Sequence, residues 1–257
     1  MRLISLCPSN TEILFALGAG ADVVAVERWS DYPAAATSLP RVGTELDVDL
    51  ELVRAHAPDL VLASLTVPGM ERVVAELARS GLPHLVLDPR DLKGIFRDIE
   101  TVGRAIARET EAADLIARLR EEIDAAAKLN AARDRPARVY LEWWPEPLIA
   151  PGAQCWTREM IRIAGGRSLF GERACRSGRV EPDEVVERDP ELILLCWCGM
   201  PMARIDPRVL EQRDGWDGIT AVKRAQVYVV EEGWYGRPGP RVTRGIRRLA
   251  EWIAALD

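Results

Sequence analysis

Apolar positions along the chain come in short unbroken runs separated by stretches of helical spacing. Leu3 to Leu6 reads as a buried strand. Ser9-Asn10-Thr11-Glu12 then has the S-x-x-E spacing of a capping box, which satisfies the free backbone donors of a helix start. Ile13, Leu14 and Leu17 follow at helical spacing, and Gly18-Ala19-Gly20 ends the helix. Val23 to Val26 is the next strand. Asp49 starts a helix over Leu50 to His56, Pro58 stops it, and Leu60 to Ala63 is a third strand. Leu85 to Leu87 is a fourth. Strands alternating with helices predict parallel β-α units in an α/β fold.

The second half repeats this order. Val139 to Leu141 reads as a strand, and Thr157 to Gly166 echoes the first helix with its glycine stop. Asp183 to Leu194 matches Glu51 to Leu62, with Pro190 aligned on Pro58. Val227 to Val230 closes this half as Leu85 to Leu87 closes the first. Between the halves, residues 91–131 lack proline. Leu92, Ile95, Phe96, Ile99, Val102 and Ile106 form one apolar stripe, and Leu115, Ile116, Leu119 and Ile123 another. The expected architecture is two Rossmann-like α/β lobes, 1–108 and 132–257, joined by one bridging helix over 109–131. At 1.5 Å per residue that helix would span roughly 35 Å.

Composition narrows the functions. The 257 residues are 48% hydrophobic and carry 34 basic against 40 acidic side chains, which gives no general electrostatic reason to bind nucleic acid or an anionic membrane. No apolar run approaches the length of a transmembrane helix. No secretory leader precedes the first strand, and five cysteines suit a reducing compartment better than a disulfide framework, so the chain alone suggests a cytoplasmic protein. Cys196-Trp197-Cys198 reads as two alternate strand residues on one face rather than a metal pair, and the two histidines, His56 and His84, are scattered. No metal site of the protein's own is expected. G-x-S-x-G, H-E-x-x-H and Walker A patterns are absent. The chain is therefore read as a non-enzymatic, monomeric binding protein without a catalytic cofactor, with an enzyme using Cys7 or Cys198 as the rival.

Ligands of open α/β sheets bind beyond the carboxyl ends of the strands. In the first half those positions hold Ser9, Asn10, Trp29, Tyr32 and Ser64. In the second they hold Trp143, Trp144, Trp197, Trp234, Tyr235 and Arg237, and Trp156 begins the first helix. Six of the eight tryptophans thus fall at strand ends or helix starts, as in a cleft that holds a large flat ligand by apolar and stacking contact. Arg237 is the expected polar contact, read against the alternative of an ordinary surface arginine.

Leu3 to Gly20, with its Cys7-Pro8-Ser9-Asn10-Thr11-Glu12 core, followed by Ser30-Asp31-Tyr32-Pro33, resembles the opening of cobalamin-binding proteins of the vitamin B12 ABC importer. These are helical-backbone substrate-binding proteins, whose relatives carry siderophores and haem. Asp49 to Ala63 and Arg237 to Arg241 fit the same family, so the resemblance covers essentially the whole chain. It implies a corrinoid ligand held between two lobes, delivery to an ABC transporter permease, and work outside the cytoplasmic membrane. A siderophore or haem carrier, or a cytosolic corrinoid-handling protein on this fold, is the alternative. The resemblance also implies one docking carboxylate per lobe, Glu71 and Asp183, the latter flanked by Glu181 and Glu184. Tyr32 and Arg237 match family contact positions. Ser64, Val86 and Ser177 stand where the family has tryptophan.

Overall fold

The computed structural model describes residues 1–256. It divides into two compact units, one of Met1–Pro89 with Lys93–Arg118 and one of Arg90–Leu92 with the chain from Leu119 onward.

The first unit runs β1 (Leu3–Ser5), α1 (Pro8–Ala16), β2 (Val23–Val26), a small hairpin of β3 (Gly43–Thr44) and β4 (Asp47–Val48), α2 (Leu50–Ala55), β5 (Leu60–Ser64), α3 (Met70–Ser80), β6 (His84–Leu87) and α4 (Leu92–Ala105). Its four-stranded sheet has the order β2-β1-β5-β6, every pair parallel. Ile4, Ala25, Val61 and Ala63 meet Val53, Val73 and Leu77 in its core. Asp49 caps α2 as expected, its carboxylate accepting the Glu51 and Leu52 N–H groups at 3.0 Å each. The capping box expected at Ser9 and Glu12 does not form. Proline, with φ already set and no N–H to satisfy, favours the first helical position. Pro8 takes that role, so Cys7 becomes the N-cap and Ser9 lies inside the first turn.

α5 (Glu109–Lys128) carries the chain from the first unit into the second, the division falling between Arg118 and Leu119. It ends three residues short of the expected Ala131. Asn130 turns out of the helix because its amide donates to the Ala164 and Ala250 carbonyls at 2.9 and 2.8 Å, closing the ends of two other helices.

The second unit continues with β7 (Ala137–Glu142), β8 (Trp144–Pro145), β9 (Leu148–Pro151), α6 (Trp156–Ile163), β10 (Gly166–Ser168), β11 (Ser177–Arg179), α7 (Pro182–Arg188), β12 (Leu192–Leu195), α8 (Thr220–Lys223), β13 (Val227–Val229), α9 (Glu232–Tyr235) and α10 (Val242–Ala254). Its parallel sheet has the order β10-β7-β12-β13. In both sheets the first strand in the chain is flanked by the second and third, with the fourth outermost. The doubled plan read from the sequence is thus a doubled topology. The additional antiparallel sheet β11-β9-β8 was not expected. The core is built on Tyr140, Phe170 and Trp216, with both Phe170 and Trp216 edge-on to the tyrosine at 6.0 Å.

Candidate functional site

Each unit presents its own set of residues at the carboxyl ends of its parallel strands. In the first, a buried polar chain runs beneath the surface. The Thr11 hydroxyl donates to Ser5 Oγ at 2.7 Å and lies 2.6 Å from Ser30 Oγ. Ser30 Oγ in turn donates to Glu27 Oε1 at 2.8 Å, and the Trp29 backbone N–H donates to the other Glu27 oxygen at 2.5 Å. Glu27 is fully buried. A charge taken from water is retained only where hydrogen bonds satisfy it, and here those bonds fix the loop that follows β2. That loop exposes Trp29 and Tyr32, at 46% and 36%. They are the aromatic surface available at this end of the sheet.

Ser9, Asn10 and Ser64 differ from that pair. All three are buried. Asn10 Nδ2 donates to the Ala63 carbonyl at 3.1 Å, Ser9 Oγ lies 3.3 Å from Cys7 Sγ, and Ser64 Oγ lies 3.0 Å from Thr66 Oγ1. Their hydroxyls and amide tie strand ends together, because buried polar groups take partners from the nearest backbone and side chains.

In the second unit the corresponding anchor is Glu142, which ends β7 with no exposed surface. Arg213 grips it with two bonds of 2.7 and 3.0 Å. Trp197 Nε1 donates to it at 3.0 Å and the Tyr140 hydroxyl at 3.1 Å. The Arg213 guanidinium also lies 4.4 Å from the centre of the Trp216 ring. Trp197 and Arg213 line one wall of a groove of about 500 Å³, whose other walls include Pro145, Leu148, Pro182 and Val209. Trp144, on the β8–β9 hairpin, is 39% exposed, and its indole donates to the Glu146 carbonyl.

The remaining aromatics are distributed unequally. Trp143 and Trp197 retain 8% of their surface, Trp234 is half-buried, but Trp156 retains 1% and Tyr235 none. Trp156 Nε1 donates to the Tyr235 carbonyl at 3.1 Å, and the Tyr235 hydroxyl donates to the Gly245 carbonyl at 2.8 Å. Their rings and polar tips are used in packing α6 and α9 against α10. Trp216, which reads as a loop residue in the sequence, is fully buried. The indole N–H groups of Trp143 and Trp234 are buried without an acceptor among the described residues. An unmet buried donor costs about 1–3 kcal/mol.

Arg237 is not a surface arginine. It is 9% exposed, and its guanidinium pairs with Glu232 at 3.3 Å. Arg241, equally buried, pairs with Glu231 at 3.4 Å. Arg241 lies so close over Gly233 that a Cβ there would fall 2.0 Å from its Nη2, so this position admits only glycine unless the arginine moves. Truncation of Arg237 would leave Glu232 without this partner. The expected stability loss is therefore about 1–3 kcal/mol, larger than for an exposed site.

Cys7 and Cys155 are not activated nucleophiles. Cys7 and Cys155 are the N-caps of α1 and α6, and each has a hydroxyl two residues on, Ser9 at 3.3 Å and Thr157 at 3.1 Å. Burial pushes both thiols up, that of Cys155 to about 11. Neither is a thiolate near neutral pH, the form a nucleophile requires. Cys198 is exposed and Cys196 buried. Among the described residues no cluster of three or more His, Cys, Asp or Glu side chains could hold a metal ion, and no helix is long and apolar enough to cross a membrane.

Glu71 and Asp183 both lie exposed in the first turns of helices, α3 and α7. Glu71 closes onto the Gly69 N–H at 2.8 Å. Beside Asp183, Glu181 and Glu184 form a reciprocal capping box, and Arg173 binds Glu184. Asp183 is the carboxylate of that trio not committed to the cap.

The chain is similar to known proteins over nearly its full length. It is 29% identical to an uncharacterised ABC transporter substrate-binding lipoprotein of Bacillus subtilis, covering 98% of this chain and 79% of that one. It is 27% identical to the vitamin B12-binding protein of Pectobacterium atrosepticum, covering 99% and 89%. Among solved structures, the periplasmic vitamin B12 binding protein of Vibrio cholerae matches with a TM-score of 0.82 at 24% identity, over 99% and 97% of the two chains. The periplasmic heme-binding protein from Roseiflexus sp. RS-1 matches at 0.85 and 22%, over 99% and 98%. The family model for periplasmic binding proteins matches residues 3–232, and the chain belongs to that family.

Proposed function

We propose that the chain is the substrate-binding protein of an ABC importer and that its ligand is a corrinoid of the cobalamin type. The observation that carries this reading is the aromatic surface fixed at the carboxyl ends of both sheets, Trp29 and Tyr32 in one unit and Trp144 and Trp197 in the other. Each pair lies beside a loop or strand end held by a buried carboxylate, Glu27 or Glu142. Rigid rings suit a broad, flat, largely apolar ligand, because little side-chain freedom is lost on contact. Relatives of nearly equal length named for vitamin B12 support the same class. No chemistry on the ligand is assigned.

Haem is the second candidate, favoured by the likeness to haem-binding structures. Haem carriers draw on protein side chains for axial ligation, histidine, cysteine, methionine or tyrosine, and of these Tyr32 is exposed at the aromatic surface. His56 and His84 here lie at the amino ends of β5 and β6, away from the aromatic surface. A corrinoid needs no such ligand, since its own ring and axial groups can fill the cobalt's coordination sphere.

Parallel titrations with aquocobalamin and hemin, followed by tryptophan emission and visible absorbance, test the reading. The corrinoid is expected to saturate one site and quench emission. Trp197→Ala and Trp144→Ala should each weaken binding by about 1–3 kcal/mol. Arg237→Ala should lower affinity by about 1.5–3 kcal/mol if its guanidinium meets the ligand, and Arg237→Lys should restore only part, lacking the planar fork. Saturable binding of hemin with none of aquocobalamin would overturn the corrinoid assignment and leave the binding-protein reading standing.

A further inference from the structure

Along one edge of the second unit's parallel sheet lies a groove of about 660 Å³ that the site described above does not use. Its lining comes from the edge strand β10, from α6, and from the segment that leads from α5 into β7. Five arginines face it, Arg133, Arg135, Arg158, Arg162 and Arg167, against two carboxylates, Glu159 and Glu172. In a chain with a net charge of −6, this is a marked local excess of positive charge.

The two carboxylates are already engaged. Glu159 accepts the Leu92 N–H at 2.8 Å, and Glu172 pairs with Arg188 at 2.6 Å. Arg135 is clamped by Glu191 through two bonds of 2.9 and 2.6 Å, which hold that carboxyl down at about 2 and keep it ionised. The guanidinium is thereby held in place while its side chain stays 61% exposed. Arg158 and Arg162 stand one helical turn apart on α6, a spacing that puts them on one face. Arg167 extends from β10. These last three are exposed and have no carboxylate partner among the described residues. At Gly171 a Cβ would come within 3.3 Å of Arg158 Cγ, so the stem of this arginine runs over the glycine into the groove.

Like charges gathered in a concave, partly desolvated site repel one another unless an anion joins them. Guanidinium groups present paired donors that match the oxygen spacing of phosphate and carboxylate. The volume is that of a small-molecule site. We propose that this groove binds a multivalent oxyanion, a ligand presenting at least two phosphate or carboxylate groups, independently of the ligand taken at the aromatic surface. That chemistry is supplied either by a soluble polyanion or by an anionic lipid headgroup.

The experiment uses the full chain and three exposed substitutions, Arg158→Gln, Arg162→Gln and Arg167→Gln, combined in one variant, with Arg162→Gln alone as the milder form. Calorimetric titration with inorganic pyrophosphate and with citrate is run at about 0.15 M salt, where surface charge is largely screened. One saturable site is expected for at least one anion, weakened about tenfold or more in the triple variant, as for loss of charge-assisted hydrogen bonds. The melting temperature and the aquocobalamin titration of the triple variant should match the parent. Co-sedimentation with phosphatidylglycerol vesicles, against phosphatidylcholine as control, separates the sources. Arginine-dependent retention there, without pyrophosphate or citrate binding, supports the site with a lipid headgroup as its ligand. Saturable binding of the soluble anions alone supports a soluble ligand. No binding in either arm, or binding equal in parent and triple variant, overturns the proposal.

Discussion

Replacing Arg213 by alanine is expected to destabilise the second unit by about 3–5 kcal/mol, the range for removing one partner of a buried ion pair. Glu142 has no exposed surface, and its partner is 13% exposed. The loss would leave an ionised carboxylate with only the Trp197 and Tyr140 donors. Part of the effect is packing, since the guanidinium also covers the Trp216 ring. Adding Glu142→Gln to the variant removes the uncompensated charge and should recover a substantial part of the stability. Urea unfolding of the parent, the single and the double variants reads this directly. A single variant within about 0.5 kcal/mol of the parent, as for a neutral surface change, would mean the pair is no anchor. Because Trp197 is held by the same carboxylate, the single variant should also lose corrinoid affinity at temperatures where it remains folded.

The second large effect concerns delivery. If Glu71 and Asp183 meet basic groups of a permease, Glu71→Lys with Asp183→Lys replaces two attractions by two repulsions. Like-charge contacts at an interface cost several kcal/mol, so stimulation of transporter ATPase activity in proteoliposomes should fall to the level without binding protein. Corrinoid affinity should be unchanged, because both residues lie exposed on helix starts. Glu121→Lys, at an exposed position on α5, is the control for net charge and should keep full stimulation. Full stimulation by the double variant would sink the docking assignment and favour a corrinoid-handling protein that needs no permease.

The doubled α/β plan was legible because its signals are local. Apolar runs, the Asp49 cap and the aligned Pro58 and Pro190 depend on neighbours a few residues away. The β8–β9–β11 sheet was missed because its strands are two to four residues long and carry Pro145 and Pro151, residues that argue against a strand when read alone. The candidate site was half legible. Tryptophans at strand ends are visible in the sequence, but whether a ring faces outward depends on distant packing. Trp156 is covered by α9, Trp29 by nothing comparable, and Trp216 leaves its loop for the core. Glu27 and Glu142 carried a signal that went unread. Each is an acid closing an apolar run immediately before a tryptophan-bearing segment, a place where a solvated carboxylate is not expected.

The five thiols also divide the molecule by accessibility. Cys198 is exposed and Cys175 half-buried, whereas Cys7 is buried in the first unit and Cys155 and Cys196 in the second. A buried thiol meets a reagent only when the structure around it opens, so its modification rate reports the free energy of that opening. Under native conditions the two thiols that are not buried, Cys198 and Cys175, react before the other three. Cys7 then times the opening of one unit, and Cys155 with Cys196 times the other. Peptide-resolved alkylation of the unmutated chain can therefore measure, without any introduced label, whether the two halves open together or separately, and which of them a bound corrinoid protects.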